Sequence, residues 1–372
     1  MLSDIALLDT NRPNTDDSDK TKLVAVDLFA GAGGFSLGAI QAELHVAAAL
    51  EYDTHASTTY RENIQKKWSP DTKVIAEDII EFGPMKFLEE TGLQQGDCDI
   101  LLGGPPCQGF SQHRLHDSGI DDPRNALLLR YFDYVKALKP TLFLIENVPG
   151  LLRTKHEHYL KRLYDMAKKA DYVVEDPVVL NARDFGVPQN RKRVFILGRH
   201  KRKLEKGVDW PPEATHHKPT EVGVNKKLSW KTAAAAFRPT TANDPNAKHM
   251  NSGPLVTAAL ASTPHNGGSR HESSRELECH KNHDGHKDVY GRIDSNKPGP
   301  TMTTACVNPS KGRFVHPTED HGITVRQAAR LQTFPDQFVF HGGLMAAGKQ
   351  IGNAVPVEMA RVLCEFLVDQ LK

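Results

Sequence analysis

From residue 22 to about residue 200, short apolar runs alternate with longer stretches of helical spacing. The runs are KLVAVDLF, HVAAAL, KVIA, DILLGG, TLFLIE, YVVEDPVVL and RVFILG, each about as long as a strand buried on both faces. This alternation predicts βαβ units and an α/β fold on a parallel sheet, occupying residues 21–200. Residues 201–320 lose the rhythm and fill with Pro, Asn, Thr, Gly and His; 11 of the 18 histidines lie between His200 and His321. A second, smaller, loop-rich domain is expected there. In residues 321–372, TVRQAARLQTF and VPVEMARVLCEFLVDQL regain helical spacing, and the second is expected to pack back on the first domain. Residues 1–20, polar and acidic, read as a flexible N-terminal arm.

Composition narrows the class. The 372 residues are 39% hydrophobic with 28 glycines, an ordinary globular balance that excludes a disordered chain. No apolar run approaches the roughly 18 residues of a bilayer span, so no membrane partner is expected and a cytoplasmic location is. Five cysteines, Cys98, Cys107, Cys279, Cys306 and Cys364, lack paired spacing, which argues against a disulfide framework and leaves thiols for chemistry. The formal charge is +1, from 47 basic and 46 acidic residues; any nucleic-acid contact must come from local patches.

The unusual residues fall at strand ends. Asp27 and the turn Phe29-Ala30-Gly31-Ala32-Gly33-Gly34 follow the first run, Glu51 and Tyr52 the second, and Asp78 and Ile79 the third. Pro105-Pro106-Cys107 follow the fourth, and Glu146 ends the fifth. In open α/β sheets the carboxyl edge is where ligands bind. Glycines in a strand-to-helix turn let a ligand approach backbone amides, and Glu51, twenty residues beyond Gly31, is placed to accept bonds from ribose hydroxyls. Ser36 replaces the last glycine of the dinucleotide fingerprint, which favours an adenosyl ligand over a nicotinamide cofactor. A thiol at Cys107 and a carboxyl at Glu146 beside such a ligand suggest covalent catalysis with proton donation. Arg191 and Arg193, two apart before VFILG, share one face if the pleat continues, a geometry for holding phosphate or a base. Cys279, His280, His283 and His286 raise a metal site, but no second cysteine pair accompanies them and no metal is expected. Gly267-Gly268-Ser269-Arg270 and Lys311-Gly312-Arg313-Phe314 carry donors suited to a nucleic-acid surface.

With DLFAGAGGF, GGPPCQGFS, ENVPG, QNRKRV, TVRQAARLQTFPD and QIGNAVP in this order, the sequence resembles the DNA (cytosine-5) methyltransferases. The resemblance covers about Val24 to Gly198 and Pro300 to Ala360. It implies a Rossmann-like sheet binding S-adenosyl-L-methionine, with residues 201–320 as a target-recognition domain and double-stranded DNA lying between the two. It implies Phe29 on the adenine, the Gly31–Gly34 turn on the methionine part, Glu51 on the ribose, and Asp78 with Ile79 at the adenine edge. Tyr52, Pro105, Asn353, Ala354 and Val355 would complete the cofactor pocket, with Ala354 standing where the family more often has Ser. Cys107 would be the nucleophile, Glu146 the cytosine-binding acid, and Arg191 and Arg193 substrate contacts. Gln108, Ser111, Arg270, Lys311 and Arg313 are the expected DNA contacts. The implied enzyme is a monomer of a prokaryotic restriction-modification system, with a cognate endonuclease encoded separately. Two alternatives remain: a transfer-RNA methyltransferase, whose branch usually carries a CFT signature absent here, and a silent regulator, which should lack the thiol or its acid.

Overall fold

The computed structural model describes residues 22–106, 126–219, 228–275 and 288–372. The N-terminal arm, Cys107, Gln108, Ser111 and the Cys279–His286 cluster lie outside the described residues. The first half is wound around one sheet. Strands β1 (Val24–Leu28), β2 (His45–Leu50), β3 (Lys73–Ile75), β4 (Ile100–Gly103) and β5 (Leu142–Asn147) pair in parallel. Helices α1 (Gly34–Gln41), α2 (Thr54–Tyr60), α3 (Ile79–Phe82), α4 (Pro84–Thr91) and α5 (Ala126–Leu138) alternate with them, and α6 (Glu157–Lys169) follows β5. The YVVEDPVVL run is two strands, β6 (Tyr172–Val174) and β7 (Val178–Asn181), split around Pro177, which has no N–H to give a ladder.

The strand order is β3-β2-β1-β4-β5-β8-β6, with β7 also on β8. The α/β expectation holds, but β8 (Lys192–His200) runs antiparallel to β5, β6 and β7, so the sheet is mixed rather than parallel. The connection between β7 and β8, residues 182–191, is shorter than the dozen or so residues a parallel crossover takes. The order reverses between β1 and β4, which opens a crevice at their carboxyl ends.

Period-two alternation divides the strands between two cores. Val26, Leu28, Leu101, Phe143 and Ile145 face Phe87, Leu128, Phe132 and Leu163 of α4, α5 and α6. Ala25, Ile100, Leu102, Leu142 and Leu144 face the other way, onto Phe35 and Ala39 of α1 and onto Met359, Leu363 and Leu367 of α10 (Val357–Leu371). α10 packs on α1 and on this face of the sheet. Its approach to α1 is close: a Cβ on Gly38 would stand 2.4 Å from the Ala360 Cβ.

Beyond residue 200 regular structure is sparse: β9 (His216–His217), β10 (Leu228–Ser229), α7 (Pro254–Ala261), then α8 (Val325–Leu331) and α9 (Gly343–Asn353). This part has no separate core of its own among the described residues. Ala233, Ile293, Met302, Val307, Phe314 and Ile323 share one cluster with Ala30, Ala32, Leu37 and Tyr60, so the loop-rich segment is packed against the glycine turn. No helix of the described residues is long and apolar enough to cross a membrane.

Candidate active site

The turn after β1 is built from unusual backbone. Phe29, Gly31 and Gly33 have φ of 58°, 57° and 94°, a region that L side chains enter at a cost. At Gly31 a Cβ would meet nothing within 4 Å; the space above it is open for a ligand. The Gly31 N–H is held by Glu51 Oε2 at 2.9 Å, and Glu51 Oε1 accepts from Asp53 N at 2.7 Å. Burial raises the Glu51 pKa, and these two N–H bonds partly offset it. Each carboxylate oxygen keeps a lone pair for a further donor. Asp53 caps α2 at His55 and Ala56 and pairs with Lys349 at 2.7 Å. Next along the edge, the exposed Asp78 caps α3 at Ile80 N, Ile79 is buried, and Tyr52 is exposed.

Asp27 lies under this turn rather than on its open side. It is buried, accepts from Ser36 Oγ at 2.6 Å, and Ser36 Oγ accepts in turn from the Tyr60 hydroxyl at 2.8 Å. Burial pushes its pKa up to about 7. Ala354 and Val355 close the same turn from behind: a Cβ on Gly34 would stand 2.4 Å from the Val355 carbonyl oxygen. Asn353, the last residue of α9, is exposed.

Across the switch point, β4 delivers Gly104, Pro105 and Pro106. Glu146, buried at the end of β5, lies 2.8 Å from Arg193 Nε of β8, with both side chains at most 14% exposed. The contact is ionic and off-axis rather than a well-directed hydrogen bond. Burial pushes the Arg193 pKa down and the Glu146 carboxylate pulls it back. A Cβ on Gly104 would stand 3.4 Å from Glu146 Oε2, so the carboxyl lies against the segment that leads into Cys107. Asn147, which sequence reasoning left without a role, bonds the Pro105 carbonyl at 3.3 Å and receives Val148 N. It ties the ends of β4 and β5 together.

Arg191 and Arg193 take different partners. Arg191 precedes β8, is 1% exposed, and gives its guanidinium to the carbonyls of Met302, Gly352 and Ala354 at 2.9, 2.9 and 3.0 Å. Burial drives its pKa well down. Gln189 Nε2 bonds the Leu331 carbonyl and Gln332 Oε1, its Oε1 receives Met302 N, and Gln332 Nε2 reaches the carbonyls of Ile351 and Ala354. The segments QNRKRV, RQAARLQTF and QIGNAVP therefore meet in one buried polar lattice. Both glutamines stand in motifs the sequence displays, yet nothing local marks them as buried partners.

Of the expected DNA contacts, Lys311 is exposed at the end of a 3-10 turn, and Arg270 is half-buried at the start of another. Arg313 is turned inward, onto the carbonyls of Gly267, Gly268 and Arg292. Among the described residues no cluster of His, Cys, Asp and Glu is arranged to hold a metal.

At the switch point the open glycine turn with Glu51 therefore faces the buried Glu146, an arrangement of the α/β enzymes that bind ligands at the carboxyl edge of the sheet. The model of the C-5 cytosine-specific DNA methylases matches residues 23–368. The Type II methyltransferase M1.HphI of Haemophilus parahaemolyticus is 33% identical over 93% of this chain and 87% of its own. M.XorII of Xanthomonas oryzae is 32% identical over 92% and 84%. The crystal structure described as a prophage-encoded DNA modification methyltransferase (E. coli) superposes with a TM-score of 0.72 at 26% identity, over 94% of this chain and 99% of that one. The chain belongs to the C-5 cytosine-specific DNA methylase family, and its reaction is methyl transfer to carbon 5 of cytosine in DNA.

Proposed function

We propose that the methyl donor is S-adenosyl-L-methionine and that Cys107 and Glu146 carry the chemistry on a cytosine flipped out of double-stranded DNA. The observation that carries this reading is the buried Glu146–Arg193 pair lying against Gly104, three residues before Cys107. The turn fits an adenosyl group: Gly31 leaves open space, and both Glu51 oxygens retain lone pairs at ribose height. Phe29 and Ile79 would line the adenine, Asp78 offers its second oxygen to the adenine edge, and Asn353 lies at the mouth. Arg191 and Asp27 support this pocket without touching the ligand.

The bound donor supplies an electrophilic methyl group on a sulfonium. Carbon 5 of cytosine is a poor nucleophile, so the Cys107 thiolate would add to carbon 6 and raise electron density at carbon 5. Glu146 would deliver a proton to nitrogen 3 and accept from the exocyclic amine, neutralising charge that grows as the thiolate adds. A base would then take the carbon 5 proton, and the thiolate would leave as the 5,6 double bond is restored. Arg193 would hold that carboxyl in place. Extruding the base costs a few kcal/mol, repaid by contacts in the cleft between residues 21–200 and 201–320. The enzyme would act as a cytoplasmic monomer, and its likeness to Type II methyltransferases supports a role in protecting DNA from a separately encoded endonuclease.

The test is transfer of labelled methyl from S-adenosylmethionine to unmethylated DNA and, in parallel, to bulk transfer RNA. Label is expected as 5-methylcytosine in DNA. Cys107→Ser should abolish turnover while cofactor binding stays intact; turnover retained by that variant overturns the nucleophile assignment, and label only in RNA overturns the substrate.

A further inference from the structure

Two segments far apart in the chain meet on one guanidinium. Arg313 Nη1 donates to the carbonyls of Gly267 at 2.8 Å, Gly268 at 3.2 Å and Arg292 at 3.1 Å, and Nε donates to Asp288 Oδ1 at 3.1 Å. Room for it is built in: a Cβ on Gly291 would stand 3.0 Å from the guanidinium carbon. Gly267, at φ 108°, sits where a Cβ would press on Asp294 at 3.2 Å. The base of the same loop is tied by Asn266, whose N–H reaches the Pro317 carbonyl and whose Oδ1 accepts from Ser295 N and Oγ, both at 2.7 Å. Beyond Arg313's grip, Ser269 and Glu272 close a capping box that presents His271 to solvent, with Arg275 exposed just after it. Gly267 of the loop and Arg313 itself line a cleft of about 310 Å³ together with Asn190, Lys297 and Gly299. Asn190 directly precedes the buried Arg191, so this cleft abuts the catalytic half.

We propose that Arg313 is a positioning residue for sequence discrimination, which holds the 266–275 loop at the edge of this cleft through the loop's own carbonyls. The inference rests on the reading that residues 201–320 contact the target. It has a signature that a phosphate contact lacks. Removing a phosphate-bound cation weakens binding uniformly across sequences and lowers the salt slope by about 1. Loosening a loop clamp leaves the slope alone and blurs the choice of site.

The experiment compares wild type with Arg313→Ala, Arg313→Lys and Gly291→Ala on unmethylated DNA of random sequence, with methylated positions mapped. Salt-dependent DNA binding and S-adenosylmethionine affinity are measured alongside. Lys keeps the charge but lacks the fork that spans several carbonyls; Gly291→Ala keeps every charge and crowds the guanidinium. All three are expected to lose discrimination about fivefold or more, the lower range of what one misread base pair costs, with the salt slope and cofactor affinity of wild type. Wild-type discrimination in Arg313→Lys, with a slope reduced by about 1 only in Arg313→Ala, overturns the proposal in favour of a phosphate contact. If Arg313→Ala does not fold, Gly291→Ala decides: unchanged discrimination overturns the clamp. A wild type that methylates DNA without sequence preference overturns the parent reading instead.

Discussion

Arg191→Met separates a lattice arginine from a substrate arginine. The substitution keeps an unbranched apolar stem and removes a guanidinium bonded to three buried carbonyls. The Ala354 carbonyl keeps its bond from Gln332, whereas those of Met302 and Gly352 are left unsatisfied at about 1–3 kcal/mol each, a gross loss of roughly 2–6 kcal/mol. Against this, the variant relieves the burial of a cation, which is worth several kcal/mol and which the strongly lowered pKa of Arg191 reflects. The net expectation is a loss of about 2 kcal/mol. At about 2.1 cal/mol/K per residue, a chain of this length unfolds with an entropy near 0.8 kcal/mol/K, so the melting temperature should fall by about 2–3 °C. Two of the three carbonyls, those of Gly352 and Ala354, lead into Val355, which closes the glycine turn. S-adenosylmethionine affinity should therefore fall too, by about tenfold for each 1.4 kcal/mol of ordering lost from that segment. Calorimetry of unfolding and of cofactor binding reads both. Unchanged melting and cofactor affinity, with only DNA affinity or turnover reduced, would refute the reasoning and restore Arg191 to the substrate.

Two further outcomes follow from the same pocket. Gly34→Ala places a Cβ 2.4 Å from the Val355 carbonyl oxygen, a backbone atom with little freedom to give, so overpacking should cost about 1–3 kcal/mol and weaken S-adenosylmethionine binding; a melting curve and titration like those of wild type would contradict it. Asp27, with a pKa of about 7 against an ordinary 3.8, binds a proton in the folded state that the unfolded chain has released. Its contribution to stability is therefore full below about pH 4, falls as pH rises, and levels off above about pH 7, a total on the order of 4 kcal/mol. Asp27→Asn should remove that decline, and a stability–pH profile parallel to wild type would show that Asp27 does not titrate there.

The strand ends were legible because a parallel sheet writes them locally: an apolar run stops, and the next residue is a glycine, an acid or a proline. Glu51, Asp78 and Glu146 stand at or near such stops and reach the carboxyl edge, whereas Asp27 lies inside β1 and is turned under it. The direction of β8 was not legible, since RVFILG is apolar whichever way it runs, and only the short connection from β7 decides. Arg191 and Arg313 misled for another reason. A charged side chain in sequence reads as solvent-facing, whereas here the partners are carbonyls contributed from 111 and 46 residues away, and no periodicity records them. Gln189, Gln332 and Asn147 were hidden in the same way, their value lying in bonds that exist only after distant segments have met.

The packing of α10 on α1 has a consequence for how the protein is made. Gly38 is shaped to receive Ala360, and Gly34 to receive the Val355 carbonyl, so the earliest helix of the sheet waits for partners synthesised more than three hundred residues later. Contacts so distant in sequence form slowly. On the ribosome the glycine turn would therefore emerge with one flank bare and become a finished pocket only after residues 354–371 have left the exit tunnel, long after the sheet that carries it.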